Sequence, residues 1–392
     1  MTNSAGNSAV LGVAQLPMRT RLPETTYADL LGQAASKAVA DAGLDLDQID
    51  GLLLAQAPTT TLGVDEPQYW GIAGLPGADK FLGRVHVAAA SGLTALRLAA
   101  AHVKSGRLRN VLIVAADLAD EAASLRGALG AMHDPFTSGQ APINAITAAA
   151  LQTSYYMATH KASERTMASV AVKNRGNGAL NPFAQLRKPV TVDEVIESPV
   201  LSWPIRRLDS SPRTSGAAAI VVGRAGDVGP KRAVRIAGYG AFSGARSIGA
   251  QMVPGASSYL DGSDLTEAAR RAYADAGIAD PTAEIGMAEV YASFGIFELL
   301  SIEGLGLCGS GEAAPRIAAG EFQRTAPLPV NPSGGATCGN PISASGLVRI
   351  AEAVTQLRGE AGERQVELKA PRAIVTATGG LFQTHEVGVL EA

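Results

Sequence analysis

The sequence predicts an α/β protein built from two similar halves. Three stretches recur in similar form and in the same order, about 230 to 260 residues apart: 34–43 at 268–277, 90–93 at 344–347, and 113–116 at 374–377. Solenoid repeats have periods of roughly 20 to 50 residues, so this spacing indicates two copies of one globular fold. The 392-residue chain also exceeds the roughly 250 to 300 residues that one hydrophobic core supports. We expect the functional site at the seam between the copies.

The first half alternates strands and helices, an order typical of a parallel sheet that helices cover on both faces. Apolar and β-branched runs predict the strands, and an apolar period near 3.6 residues predicts the helices. Strand 84–89 is near-uniformly small and apolar, as expected for a strand paired across a two-fold axis, so we expect a homodimer. The predicted strands are 8–16, 49–55, 84–89, 111–116 and 216–222, and the predicted helices are 26–42 and 93–103.

Residues 118–205 interrupt this alternation with six prolines and with helical stretches near 144–159 and 164–175. A long insertion in a compact enzyme often forms a lid or a binding wall, and we predict that role here. We therefore predict two domains, 1–230 with the insertion at about 118–205, and 231–392. From Ala233 the pattern restarts, with predicted helices 264–276, 295–305 and 343–357, strands 287–291 and 373–377, and a glycine-rich turn at 334–339.

The composition excludes two classes of partner. The net charge is −3 and charged residues make up 18% of the chain, so no general basic surface is present for nucleic acid. No apolar run approaches the roughly 18 residues that span a membrane, and residues 1–9 lack the pattern of a signal peptide. The two cysteines, Cys308 and Cys338, form neither a metal-ligand nor a disulfide pattern. We therefore expect a cytoplasmic protein without a metal site.

Three blocks of sequence carry a family resemblance. Asn-Pro-Ser-Gly-Gly at 331–335, Gly-Asn-Pro-Ile-Ser-Ala-Ser-Gly at 339–346 and Ala-Ser-Gly at 90–92 resemble the thiolase superfamily, specifically the sterol-carrier-protein-type thiolases and their thiolase-like relatives. The resemblance covers essentially the whole chain. It implies a five-layered αβαβα duplication, an acyl-CoA substrate and a homodimer. It implies no cofactor besides the coenzyme A that the substrate carries.

Departures from the family pattern decide which chemistry is possible. The position of the thiolase cysteine nucleophile holds Ala89, whose methyl group cannot attack a thioester. The histidine of the family's Gly-His-Pro motif is replaced by Asn340, which donates a hydrogen bond but cannot shuttle a proton at neutral pH. The His-Asp-Cys-Phe-type motif falls on 291–294, where its first residue is Tyr291. We expect no thiolase activity, and Tyr291 and Asn340 are the candidate catalytic residues.

The resemblance implies that part of the family's site survives. The backbone N–H of Ala89 opens a helix, where N–H groups favour negative charge, and the N–H of Gly380 would face it across the seam. Together they could form an oxyanion hole for a thioester enolate. Tyr291 could serve as a general acid or base if its pKa is lowered. The remaining predicted substrate-binding residues are Gly335, Ser343 and His385, the last of which also fits a surface position.

The sequence leaves three functions open. The first is a retro-aldol lyase that cleaves a β-hydroxyacyl-CoA with the help of Tyr291; thiolase-like aldolases of this kind work with a small OB-fold, zinc-ribbon partner protein. The second is a subunit without chemistry of its own that binds acyl-CoA or lipid, in which Tyr291 only fills the space of a histidine. The third is an acyltransferase with an unrecognised nucleophile such as Cys338, a residue that also fits a small buried filler.

Overall fold

The computed structural model describes residues 8–56, 68–69, 71–72, 75, 80–119, 143–227, 233–244 and 260–392. The strands are β1 (Ser8–Gln15), β2 (Gly51–Ala55), β3 (Phe81–Val85), β4 (Val111–Asp117), β5 (Val200–Ser202), β6 (Ile205–Arg206), β7 (Gly216–Arg224), β8 (Val234–Ser243), β9 (Met287–Glu289), β10 (Arg372–Gly379) and β11 (Thr384–Glu391). The helices are α1 (Tyr27–Asp41), α2 (Ser91–Lys104), α3 (Ala145–His160), α4 (Glu164–Ala179), α5 (Val192–Glu197), α6 (Ser263–Ala276), α7 (Pro281–Glu284), α8 (Gly295–Gly304), α9 (Ala313–Ala318) and α10 (Ser345–Leu357). None of these described helices is long and apolar enough to cross a membrane.

One mixed sheet contains nine of these strands, in the order β3-β2-β4-β7-β1-β8-β11-β10-β9. The antiparallel pair β1–β8 lies at its centre, with Val10 opposite Val234. The strands on the two sides of this pair are arranged in the same way. On one side β1 pairs antiparallel with β7, β7 antiparallel with β4, and β4 parallel with β2. On the other side β8 pairs antiparallel with β11, β11 antiparallel with β10, and β10 parallel with β9. The strand order is therefore repeated on the two sides. The predicted domain boundary near residue 230 falls between β7 and β8 and stays a prediction.

The two halves of the sheet form two β layers, and helices lie between them and on their outer faces, which gives five layers. The helices that begin at the repeated Ala-Ser-Gly, α2 and α10, lie between the two halves of the sheet, and one core joins Leu93 and Leu347 of these helices to Ile113 of β4 and Val375 of β10. The alternate side chains of β4 and β10 point to the opposite faces. On these opposite faces, α1 shares one core with β4, and α6 shares another with β10. The predicted duplicated αβαβα fold is confirmed.

The two central helices meet at a pair of glycines. A Cβ atom on Gly92 of α2 would lie 2.7 Å from the backbone nitrogen of Leu347 in α10, and one on Gly346 would lie 3.2 Å from the Cα of Gly92. Both glycines belong to the repeated Ala-Ser-Gly-Leu stretch, so the duplication supplies a small residue to each side of the crossing. The backbones therefore approach closely.

Two strands end earlier than the sequence predicts, and both ends lie near the seam. The strand predicted at 84–89 is β3, which ends at Val85, and residues 86–90 form the turn that enters α2. The strand predicted at 287–291 is β9, which ends at Glu289 and leaves Tyr291 beyond its end. Residues at the exits of strands are free to face a site instead of a neighbouring strand.

The last strand, β11, is absent from the sequence prediction. The strand opens with Thr384, His385 and Glu386 and has only four apolar or small residues after them, which is a weak strand signal. The side chains of His385 and Glu386 are nevertheless buried, because β11 lies inside the sheet between β8 and β10. Sheet position therefore overrides the local polarity of this segment.

We predict that Gly92→Ala destabilises the protein whereas Gly176→Ala does not. The new methyl group at residue 92 would meet the α10 backbone at 2.7 Å, and overpacking of this kind costs about 1–3 kcal/mol. Gly176 is the matched control, since it lies within helix α4 with no neighbouring atom within 4 Å of its Cβ position. Alanine there adds about 0.5–1 kcal/mol of stability. Urea unfolding measures both changes, and an unchanged midpoint for Gly92→Ala would contradict the close crossing.

Candidate active site at the seam

A cavity of about 250 Å³ lies at the seam. Its walls come from the turn before α2, the ends of β4 and β9, the loop before α10, the β10–β11 turn, and the inserted region, through the start of α3 and Leu201 of β5. Among the described residues, no group of three or more His, Cys, Asp or Glu side chains could hold a metal ion. The large apolar side chains in the lining are Ile146, Leu201, Phe294, Phe297, Ile342, Leu381 and Phe382.

The turn that enters α2 has a constrained backbone. Ala88 has a φ of +48°, in the left-handed region, which costs a residue other than glycine about 1–3 kcal/mol. The hydroxyl of Ser91 holds the turn, since it accepts the N–H of Val87 at 2.9 Å and donates to the carbonyl oxygen of Gln56 at 2.7 Å. Ala89 follows and lines the cavity. Its N–H donates to no acceptor within the described part of the chain, so a ligand can accept from it.

Gly380 lines the same cavity from the turn between β10 and β11, with a φ of +66°. A Cβ atom on the neighbouring Gly379 would lie 2.8 Å from the carbonyl oxygen of Val87, so this turn lies against the turn before α2. The N–H of Gly380 likewise has no acceptor among the residues described. Two backbone donors, one from each half, therefore border the cavity. Their use as an oxyanion hole stays a prediction.

Tyr291 lies just beyond β9, and Tyr291 and Ala89 belong to one small buried apolar cluster. The N–H of Tyr291 donates to Oγ1 of Thr376 in β10 at 3.0 Å, which anchors this segment. The pKa of Tyr291 is raised, because burial outweighs the hydrogen bonds with Asn340 and Ser293 that lower it. For Tyr291 to act as a general acid or base, the prediction from the sequence requires a lowered pKa, and the structure gives the opposite shift. The phenol stays protonated at neutral pH, so it can act as a proton donor but not as a base.

Asn340 lines the cavity beside Tyr291 and keeps one amide atom unused. Its Nδ2 lies 3.4 Å from the phenol oxygen of Tyr291 and 3.3 Å from Oγ of Ser211. Its backbone N–H donates to Oγ1 of Thr214 at 2.9 Å. The Oδ1 atom is buried and has no hydrogen-bond partner among the described residues. Buried polar atoms are normally paired, so this atom is placed to meet a polar group of a ligand.

Asp117 also lines the cavity, and no sequence motif identifies it. Its two carboxylate oxygens accept the hydroxyl of Ser343 at 2.6 Å and the N–H of Ser343 at 2.7 Å, which joins the end of β4 to the loop before α10. Burial raises the pKa of Asp117 to about 7, against the lowering effect of these two hydrogen bonds. The signal in the sequence is positional: an acid directly follows the apolar run 111–116.

The other predicted binding residues, Ser343, Gly335 and His385, are not among the residues that line the cavity. Gly335 has a φ of +64°, and its N–H donates to Oγ of Ser333 at 3.1 Å. His385 is fully buried instead of exposed, with its ring edge-on to that of Phe382 at 4.5 Å between centroids. Burial lowers the pKa of His385 to about 3, so the ring is neutral. Direct substrate contact by these three residues stays a prediction.

A buried polar network behind Tyr291 fixes its segment. Nζ of Lys173 lies 2.9 Å from the carboxylate of Glu298. Nδ2 of Asn331 donates to the same carboxylate at 2.6 Å, and its Oδ1 accepts the N–H of Val290 at 2.8 Å. Loss of one partner of a buried ion pair costs about 3–5 kcal/mol. These charges therefore stabilise the exit of β9, the segment that leads to Tyr291.

Cys338 is fully buried and does not line the cavity. Its Sγ lies 3.2 Å from the carbonyl oxygen of Asn174 in α4. Burial raises the pKa of the Cys338 thiol to about 12. A protonated, inaccessible thiol is a poor nucleophile, so the position of Cys338 argues against its use as the nucleophile of this cavity.

We predict that iodoacetamide does not modify Cys338 in the folded protein at neutral pH. The thiol lacks both exposure and thiolate character, and it becomes reactive only when the chain is unfolded in denaturant. Peptide mass mapping of folded and denatured samples measures the difference. Rapid modification of Cys338 in the folded protein would show that the thiol is accessible and would contradict this placement.

Known proteins match most or all of the chain. A family model described as thiolase C-terminal domain-like matches residues 251–392. An acetyl-CoA acetyltransferase of Methanothermobacter thermautotrophicus is 30% identical over 92% of this chain and 93% of that protein. Sterol carrier protein 2 of Gallus gallus is 28% identical over 87% of this chain and 63% of that protein, so the chain spans less than two thirds of that longer relative.

Two further matches are to proteins named as lyases or aldolases. A 17-hydroxy-3-oxo-4-pregnene-20-carboxyl-CoA lyase of Mycobacterium tuberculosis is 29% identical over 91% of this chain and 92% of that protein. A solved structure described as an Ltp2-ChsH2(DUF35) aldolase has a TM-score of 0.79 and 26% identity, and covers 99% of this chain and 98% of that chain. Fold, motifs and full-length similarity agree: the chain belongs to the thiolase superfamily, as a thiolase-like protein of the sterol-carrier-protein type.

Proposed function

We propose that the protein cleaves a β-hydroxyacyl-CoA by a retro-aldol reaction that forms no covalent bond to the enzyme. One observation carries this proposal: the seam cavity combines two unused backbone donors with a buried phenol, but holds Ala89 where the family has its nucleophile. Such a site suits an enolate and cannot form an acyl-enzyme at residue 89. The names of the lyase and aldolase relatives support the same reaction class.

The reaction needs three events in the cavity. The β-hydroxyl group loses its proton and becomes the carbonyl group of one product. The Cα–Cβ bond breaks, and its electron pair passes to the thioester as an enolate, whose oxygen accepts the N–H groups of Ala89 and Gly380. A proton then adds to Cα and gives the shortened acyl-CoA. Tyr291 is the phenol that carries a proton in this scheme, and Oδ1 of Asn340 can orient a hydroxyl group of the substrate.

Two other functions are less well supported by the cavity. The name of the Methanothermobacter relative favours an acyltransferase, but that reaction needs a nucleophile, and Cys338 lies outside the cavity. A subunit that only binds acyl-CoA fits the loss of the family's catalytic residues. It leaves unexplained why Asp117 and Tyr291, two buried groups able to transfer protons, both line the cavity.

We also propose that the chain works with a second, small protein of the OB-fold, zinc-ribbon type. The similar aldolase structure is named with a second component, ChsH2(DUF35), beside Ltp2. No cofactor is needed for the proposed steps apart from the coenzyme A of the substrate. Activity with the purified chain alone and with such a partner added would separate a partner requirement from an absence of chemistry.

We predict that Tyr291→Phe lowers the rate of cleavage of a β-hydroxyacyl-CoA by about 10² to 10⁴, a typical contribution of general acid–base assistance. The variant keeps the ring and its packing on Ala89, so the fold stays intact. Asn340→Ala should cost less, because it removes a hydrogen bond and not a proton carrier. The assay is release of the carbonyl product with the small partner present.

Tyr273→Phe is the matched control for this experiment. Its hydroxyl donates to the carbonyl oxygen of Leu305 at 2.7 Å, outside the cavity, so its removal should leave cleavage unchanged. If Tyr291→Phe cleaves as fast as the wild type, Tyr291 is only a packing residue. If the wild-type protein cleaves nothing across a range of acyl chains, the binding-subunit function replaces the lyase.

We further propose that the protein is a homodimer. Within the described ranges, β3 is an edge strand of the nine-stranded sheet, and its first residue, Phe81, is 43% exposed. An unpaired edge of this kind is a template for another strand. Sedimentation equilibrium at micromolar concentration should give about twice the chain mass of 40.0 kDa. A monomer mass under these conditions would contradict the proposal.

A further inference from the structure

Asp117 is an oriented acid with unused bonding capacity. Each carboxylate oxygen accepts one hydrogen bond from Ser343, at 2.6 and 2.7 Å, and a carboxylate has about four lone-pair sites in all. The residue is 4% exposed, and what remains accessible faces the seam cavity. Its geometry is thus fixed by one residue of the opposite half, and further lone pairs stay open to a ligand.

Two buried carboxylates near the site, Glu289 and Glu298, lie beside cations, whereas in the described part of the chain Asp117 does not. Glu289 lies 3.1 Å from Arg349, and Glu298 lies 2.9 Å from Lys173. Among the described residues, Asp117 has no such cation, and its hydrogen bonds come from Ser343 alone. An unneutralised acid in an apolar cavity binds a proton more readily than a paired one. Consistent with this, burial raises the pKa of Asp117 to about 7.

Asp117 and Tyr291 therefore differ in what they can do at neutral pH. The pKa of Tyr291 is raised above its ordinary value, so the phenol is a donor and not a base. Asp117 is partly ionised, so its carboxylate can accept a proton. A protonated phenol and a partly ionised carboxyl group in one cavity are suited to act as an acid and base pair. The retro-aldol reaction needs such a pair, one for the hydroxyl proton and one for Cα.

We infer, on the basis of the proposed retro-aldol function, that Asp117 is the general base that accepts the β-hydroxyl proton and that Tyr291 gives its phenol proton to Cα. The O–H electron pair forms the new carbonyl bond, and the pair of the broken Cα–Cβ bond forms the enolate. After Cα is protonated, Asp117 returns its proton to the Tyr291 phenolate, directly or through water. The cycle therefore needs no further reactant.

The pH dependence of cleavage reports on this base. Asp117 accepts a proton only in its ionised form. Because burial raises its pKa to about 7, kcat/KM should rise as the pH increases through about 7. The titratable and charged groups that face Asp117 are Tyr27 from α1, with Arg84 beside it, and Tyr291 after β9, with Arg349 of α10 beyond. Arg213 is the charged residue of the neighbouring cavity wall. Burial raises the pKa of both phenols above the ordinary value of a tyrosine, so neither accounts for a titration near 7.

The test compares Asp117→Asn with Asp209→Asn. Asparagine at 117 can keep both Ser343 contacts, since its Oδ1 accepts the N–H and its Nδ2 donates to the hydroxyl. We expect about a 10² to 10⁴-fold loss in kcat/KM and disappearance of the rise near pH 7. Asp209 is the matched control: burial also raises its pKa to about 7, and it does not line the cavity. Asp209→Asn should keep the rate and its pH dependence.

The outcomes separate this inference from the proposed function. If the wild type cleaves no β-hydroxyacyl-CoA, the proposed function fails. If the wild type cleaves and Asp117→Asn cleaves equally fast with the same pH profile, the function stands and the inference is overturned. Should Asp117→Asn fail to fold, as judged by thermal unfolding, the wild-type profile decides: a kcat/KM that is flat from weakly acidic to weakly basic pH overturns the base assignment.

Discussion

The close crossing of the two central helices at Gly92 and Gly346 is the constraint on which the site depends. A Cβ on Gly92 would fall 2.7 Å from the backbone of the other helix, so only a small residue permits this distance. The segments that enter these helices carry Ala89 from one half and Asn340 from the other, and both line the seam cavity. The Asp117–Ser343 hydrogen bonds tie the two halves together at the same place. A wider crossing would separate these groups.

Charge is distributed around this seam in two ways. The charges behind the cavity, such as Lys173 with Glu298, are paired and stabilise the segments that carry site residues. Three polar groups of the cavity, the Asp117 carboxyl, the Tyr291 phenol and the free Oδ1 of Asn340, are not in an ion pair with an opposite charge among the described residues. This division suits a site that moves protons on a neutral hydroxyl and holds a transient enolate.

The fold could be predicted from the sequence because its signals are local and repeated: the Ala-Ser-Gly stretches precede helices, residues 111–116 form a strand, and most predicted helix ends lie within two residues of the observed ones. The site could be read only in part. Ala89, Asn340 and Tyr291 were found as departures from a motif, and they do share one cavity. Asp117 belongs to no motif, and its partner Ser343 is 226 residues away, so only tertiary structure pairs them. The direction of the Tyr291 pKa shift likewise depends on burial, which the sequence does not contain.

Stabilisation of a thioester enolate by the N–H groups of Ala89 and Gly380 can be measured without any cleavage. A saturated acyl-CoA, which has no β-hydroxyl group, is incubated with the protein in D₂O, and deuterium at Cα is followed by mass spectrometry. If the seam cavity holds an enolate and supplies proton carriers, the acyl-CoA gains deuterium at Cα well above the rate without protein. An acyl-CoA that binds to the protein but gains no deuterium would contradict the assignment of this cavity as an enolate site.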